Sequence, residues 1–166
     1  MVYYGEEGVF NMIAIGCDHA ATALKEELKA HLQGLGLEIK DFGVSPGEKA
    51  EYPAMAFEVS SAVARGECAR GLLLCGTGVG ISIAANKVRG VRAACCSEPY
   101  SAMLSRQHND SNVLCMGARV VGPELAKMIL ETWLNAAFEG GRHIPRVGMI
   151  RAIEDGLDIE DGESEL

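Results

Sequence analysis

The stretch Gly71-Leu72-Leu73-Leu74-Cys75-Gly76-Thr77-Gly78-Val79-Gly80, running on into Ile81-Ser82-Ile83-Ala84-Ala85-Asn86-Lys87, joins three kinds of local sequence. The unbroken apolar run suits a short strand buried on both faces. The alternating glycines permit a tight backbone turn, and the residues from Gly80 to Lys87 have helical character. A strand, a glycine turn and a helix in that order form half of a βαβ unit.

The same order recurs on either side. Met12 to Cys17, Leu37 to Asp41, Val91 to Cys95 and Asn112 to Met116 are further strand candidates, which makes five. Amphipathic stretches separate or follow them. These are Ala21 to Gln33 before Gly34, Pro53 to Arg65 before Gly66, Pro99 to Gln107, and Pro123 to Phe138, with proline at three starts. Alternating β and α predicts an α/β fold, a doubly wound sandwich with a parallel sheet covered on both faces. There is no internal repeat, and the longest irregular stretch, Gly43 to Tyr52, is loop-sized. A single domain over 12–153 is expected, with 1–11 an N-terminal extension and 154–166 an acidic tail.

The chain has 166 residues and is 48% hydrophobic, enough for one ordinary core. No apolar run is long enough for a membrane span and the first dozen residues do not resemble a signal peptide, so a cytoplasmic location is expected. The six cysteines show no CxxC spacing and lie mostly in apolar runs, so free thiols are expected. The net charge of −8 argues against a nucleic-acid partner. Seven acids and no base follow Ile153, so the body is nearly neutral and can still hold a local basic pocket for a small anion.

In doubly wound sheets ligands bind beyond the carboxyl ends of the strands. Cys75 ends one strand candidate and faces Gly76, Gly78 and Gly80, whose N–H groups converge at a helix start. Such a nest stabilises a phosphate or a developing oxyanion and favours the thiolate form of a cysteine beside it. The spacing GxGxG after the third strand is not a dinucleotide fingerprint, and no Lys-Ser or Lys-Thr pair follows to make a P-loop. Asp18 and His19 follow the first strand; a helix cap and a surface histidine account for them as well as substrate binding does. His108 and Asn109, directly before the fifth strand, are expected at the working edge or near a subunit interface, or else as a helix C-cap. Arg142 and Arg146 are four apart, a phosphate fork if they share a helix face, although Pro145 places a helix start near them. Arg119 directly follows the fifth strand.

Together these segments resemble the ribose/galactose isomerase family. The motifs are Gly16-Cys17-Asp18-His19, Glu51-Tyr52-Pro53, Cys75 to Lys87, Cys96-Ser97-Glu98-Pro99-Tyr100-Ser101-Ala102, Ser105-Arg106-Gln107-His108-Asn109-Asp110 and Glu139-Gly140-Gly141-Arg142-His143. The resemblance implies a Rossmann-like five-stranded parallel sheet and an aldose–ketose isomerisation of ribose 5-phosphate with no metal and no cofactor. It also implies a homodimer or dimer of dimers with active sites shared between subunits. By position it implies that Cys75 is the proton-shuttling base and that Gly76, Gly78, Val79 and Gly80 are the anion hole, with Thr77 adding a hydroxyl. His108 would open the sugar ring. Asp18, His19, Tyr52 and Asn109 would contact the sugar, and Arg119, Arg142 and Arg146 would hold the phosphate. Some branches use a glutamate from another position as the base; this sequence follows the cysteine pattern.

Other readings remain at this level. Allose 6-phosphate, galactose 6-phosphate and other sugar phosphates fit the same mechanism, with pocket length deciding. A non-catalytic sugar-phosphate or nucleotide-binding module would need the glycine loop but not the thiol or the His-Asn pair.

Overall fold

The computed structural model describes residues 12–159; the expected N-terminal extension and the end of the acidic segment lie outside the described residues. The strands are β1 (Met12–Cys17), β2 (Glu38–Asp41), β3 (Arg70–Cys75), β4 (Ala93–Cys95) and β5 (Val113–Gly117). The helices are α1 (Thr22–Gly34), α2 (Tyr52–Ala64), α3 (Val79–Ala85), α4 (Pro99–Asn109), α5 (Pro123–Asn135) and α6 (Ile144–Asp155), with a 3-10 turn at Gly141–His143 before α6. Among the described residues no helix is long and apolar enough to cross a membrane.

All strands are parallel, in the order β2-β1-β3-β5-β4. Side chains alternate between two cores. Ile13, Ile15, Leu72, Leu74, Leu114 and Met116 pack with Leu28, Leu32, Ile129 and Trp133 of α1 and α5. Ala14, Leu73, Cys75, Val113 and Cys115 pack with Val59, Ala62 and Ile81 of α2 and α3. The continuous apolar strand runs follow from burial on both faces. All six cysteines are free.

Most boundaries shift by a residue or two from the sequence reading, and three differences have a specific structural cause. The expected strand from Val91 begins only at Ala93, because Arg92 N–H donates to the Asn112 side chain (2.8 Å) instead of joining the ladder. Helix α5 stops at Asn135, not Phe138: Ala136 is extended, and the Leu134 carbonyl accepts from Arg70 instead (2.6 Å). The acidic segment begins inside α6, not after it. The Glu154 carboxylate accepts from Gly90 N–H at 3.0 Å and Asp155 pairs with Arg89.

The irregular loop after β2 is tied down by charge. Asp41 accepts from Lys29 (2.6 Å), from Gly43 N–H (2.9 Å) and from the buried Lys25 (3.0 Å), which also donates to the Val44 carbonyl. Burial alone would raise the Asp41 pKa. The hydrogen bonds from Lys29, Gly43 and Lys25 outweigh it and hold the carboxyl below its ordinary value. A depressed folded-state pKa gives stability that is present above about pH 4 and lost as pH falls further. Asp41→Asn leaves the buried Lys25 with Glu26 as its remaining counter-charge (3.0 Å), and a loss of roughly 2 kcal/mol at pH 7 is expected from urea unfolding. The gap between wild type and variant is expected to close toward pH 3.

Candidate active site

The chain reverses its direction across the sheet between β1 and β3, and the loop leaving β1 is held to the end of β3 there: Asp18 N–H donates to the Leu74 carbonyl (3.2 Å). Cys75 closes β3 with 4% of its surface exposed. Gly78 N–H points at its sulfur from 3.1 Å. Gly78 reaches that position with φ of +81°, and a side chain there would lie 2.9 Å from Cys95 Sγ and from the Met116 carbonyl carbon. The loop rests on the end of β5. Ala118 N–H donates to the Cys75 carbonyl (2.9 Å) and Arg119 N–H to the Gly76 carbonyl (3.0 Å).

The same contacts place the surrounding side chains. The Arg119 guanidinium lies beside Gly76, with Nη1 3.7 Å from where a β-carbon would stand. The Tyr52 ring packs on Gly80 at the start of α3. Thr77 is exposed, its Oγ1 accepting from Val79 N–H at 3.4 Å. Asp18 is buried and accepts from Ala20 N–H (2.9 Å), a local turn and not the cap of α1, whose N-cap is Ala21. His19 is exposed, with Nδ1 3.4 Å from the Ala50 carbonyl. A thiol facing a directed N–H, with a cation and a glycine loop beside it, is equipped to move a proton next to a developing oxyanion. Burial pushes the thiols of Cys17 and Cys96 up to about 11 and that of Cys115 well upward, which suits inert fillers of the core.

Of the two positions expected for His108 and Asn109, the working edge or the neighbourhood of a subunit interface, the first is not met within one chain, where they do not join this edge. A helix in a parallel sheet returns from the carboxyl end of one strand to the amino end of the next, so the residues just before β5 belong to the opposite edge. Arg92, directly before β4, donates to the Asn109 carbonyl there (3.0 Å). Asn109 also borders a cavity of about 680 Å³ between the β4 edge, α4 and α6. Arg142 and Arg146 are at this edge too, after α5. They are exposed, but they do not share one α-helix: Arg142 lies in the 3-10 turn and Arg146 in the first turn of α6, because Pro145 is tolerated only near a helix start.

Two residues gain importance here that sequence reasoning gave no role. The rings of His108 and His143 stack at 4.2 Å with 9° between their planes. Glu139 Oε2 is 3.9 Å from His108 Nε2 and 3.8 Å from His143 Nε2, and Arg142 Nε donates to His143 Nε2 at 3.3 Å. Burial, with His108, Arg142 and Arg146 nearby, pushes the His143 pKa down, against the pull of Glu139. The motif Glu139 to His143 was visible in the sequence, but its stack on a histidine from another helix was not. Their three ligand atoms lie within 4.8 Å of one another. Stacked rings send their lone pairs along parallel planes, though, and these do not converge on one ion.

A profile of the ribose/galactose isomerase family matches residues 13–150. Ribose-5-phosphate isomerase B of Escherichia coli K12 is 61% identical over 142 residues, 86% of this chain and 95% of the relative. D-erythrulose-4-phosphate isomerase of Pectobacterium atrosepticum is 49% identical over 139 residues, 83% and 91% of the two chains. The solved structure of ribose-5-phosphate isomerase B from Clostridium thermocellum superposes with a TM-score of 0.86 at 52% identity, covering 87% of this chain and 98% of that one.

Proposed function

The chain belongs to the ribose/galactose isomerase family, and from that premise we propose that it interconverts ribose 5-phosphate and ribulose 5-phosphate with Cys75 as the base. The observation that carries this reading is Cys75 at the β1/β3 reversal, with Gly78 N–H on its sulfur and Arg119 beside the loop. His108 takes the proton of the anomeric hydroxyl and returns one to the ring oxygen, which exposes the aldehyde. The Cys75 thiolate removes the C2 proton, and the electron pair moves through C1 onto O1 as an enediolate. N–H groups of Gly76 to Gly80 and the Thr77 hydroxyl meet that charge. A proton shifts from O2 to O1, Cys75 returns its proton to C1, and the ketose results.

The two edges of one chain carry complementary parts of this scheme, so we assign a homodimer in which His108, Asn109, Arg142 and Arg146 of one protomer complete the Cys75 edge of its partner. The exposed apolar side chains Val79 and Ile83 of α3, which directly follows the glycine loop, suit such a contact. The Arg119, Arg142 and Arg146 guanidinium groups hold the phosphate, and this remote binding energy orients the reacting carbons. Arg142→Ala is expected to raise KM for ribose 5-phosphate at least about tenfold with a smaller change in kcat. An unchanged KM in steady-state assays removes Arg142 from the clamp.

Incubation with ribose 5-phosphate, allose 6-phosphate and galactose 6-phosphate, each with EDTA, tests the whole reading. Conversion of ribose 5-phosphate in preference to the hexose phosphates is expected. Conversion of none favours a binding module, and preference for a hexose phosphate overturns the substrate assignment.

A further inference from the structure

We infer that His143 and Glu139 are positioning residues for ring opening, His143 as a flat platform that fixes the His108 imidazole and Glu139 as the carboxylate that balances its charge. The inference rests on the reading of His108 as the ring-opening group.

Ring opening needs one imidazole nitrogen aimed at the sugar, able to accept a proton from one oxygen and return it to another. His108 sits near the end of a helix and keeps about a third of its side chain exposed (31%), so its ring plane is not fixed by surrounding core. The stack supplies that constraint. His143 is 3% exposed, and its ring lies 4.2 Å from His108 and almost parallel to it. Arg142 donates to His143 Nε2, which assigns the His143 hydrogen to Nδ1, a buried atom with no hydrogen-bond partner among the described residues. His143 is thus held as a neutral ring.

Neutrality matters to the platform. Two imidazolium rings stacked at this distance repel, whereas an imidazolium over a neutral ring is attracted to its π face. A proton that His108 takes from the sugar therefore rests over a neutral ring. Glu139 Oε2 is nearly equidistant from both Nε2 atoms, too far for a direct hydrogen bond and close enough to stabilise that charge or to hold a bridging water. Backbone already fixes the carboxylate's origin, since Glu139 N–H donates to the Gln107 carbonyl (3.0 Å) next to His108.

The test separates ring opening from proton transfer. Ribulose 5-phosphate has its carbonyl at C2 and its phosphate on O5, so it has no ring to open, and deuterium entry at its C1 from D2O needs Cys75, the glycine loop and the phosphate clamp but no ring-opening group. Full-length His108→Ala, His143→Ala and Glu139→Gln proteins are compared with wild type for that exchange and for turnover of ribose 5-phosphate, each first checked for wild-type melting. His143→Ala is expected to lower ribose 5-phosphate turnover about tenfold and leave exchange within about twofold, with His143→Phe recovering part by restoring a flat face. Glu139 is half exposed, so Glu139→Gln keeps the fold and reads the same split if His143→Ala unfolds. Equal losses in both assays, or no loss of ribose 5-phosphate turnover in a folded variant, overturn the inference. If His108→Ala itself leaves the two assays equally affected, the reading of His108 fails, and this inference with it.

Discussion

Cys75→Ala is expected to lower kcat for ribose 5-phosphate by about 10³-fold or more while substrate binding, measured by calorimetry, stays within about threefold. The side chain is small and buried, so its removal costs little packing and leaves the arginines of the proposed phosphate clamp untouched. Cys75→Ser separates base strength from volume. It keeps the shape and an acceptor for Gly78 N–H, but a hydroxyl gives up its proton far less readily than a thiol, so the same loss is expected. Wild-type turnover in either variant removes Cys75 from the mechanism. The shared-site reading adds a sharper outcome. In a mixed dimer of Cys75→Ala and His108→Ala chains, one of the two sites is assembled entirely from intact residues. Co-refolding equal amounts of the two impaired proteins should therefore restore roughly a quarter of wild-type turnover, given random pairing in a two-fold dimer. If the mixture is no more active than its components, each chain builds its site alone or the assembly differs.

What could be read from the sequence follows from how far apart the causes lie. Met12 to Cys17 and Gly71 to Cys75 announced themselves because a parallel strand buried on both faces must be apolar throughout. The strand end at Cys75 and the glycine turn after it were legible because they are contiguous, and strand-end position made them the candidates for a site. The start of the fourth strand was not, because Asn112, twenty residues on, takes the Arg92 N–H group. Nor was the strand order, in which β5 inserts between β3 and β4. For His108 the sequence left the working edge and a subunit interface both open: preceding β5 means the amino edge of its own sheet, which the direction of α4 alone decides. Its stack on His143, across 35 positions of sequence, depends on how the turn after α5 packs beside α4, and no local pattern encodes that.

The glycine loop works only because β5 ends in a residue without a side chain, and Gly117→Ala tests this directly. Gly117 pairs with Cys75 in the sheet register, and a β-carbon on it would lie 2.5 Å from the Thr77 carbonyl carbon, 2.6 Å from its oxygen and 2.7 Å from its Cα. All three are backbone atoms, so no rotamer change relieves the overlap. Either the loop lifts or β5 shifts against β3, and both displace Gly78 N–H from the Cys75 sulfur. Overpacking of this kind costs about 1–3 kcal/mol, and a displacement near 1 Å at a catalytic group costs about 10²-fold in rate. Gly117→Ala is therefore expected to lower the melting temperature by several degrees and kcat by about 10²-fold. Gly34→Ala is the matched control, since a β-carbon at that last residue of α1 meets nothing within 4 Å and alanine favours the helix. It should leave kcat unchanged and the melting temperature no lower. Wild-type kcat in a folded Gly117→Ala protein means that the loop does not need its seat on β5, and that the N–H contact on Cys75 is not what activates the thiol.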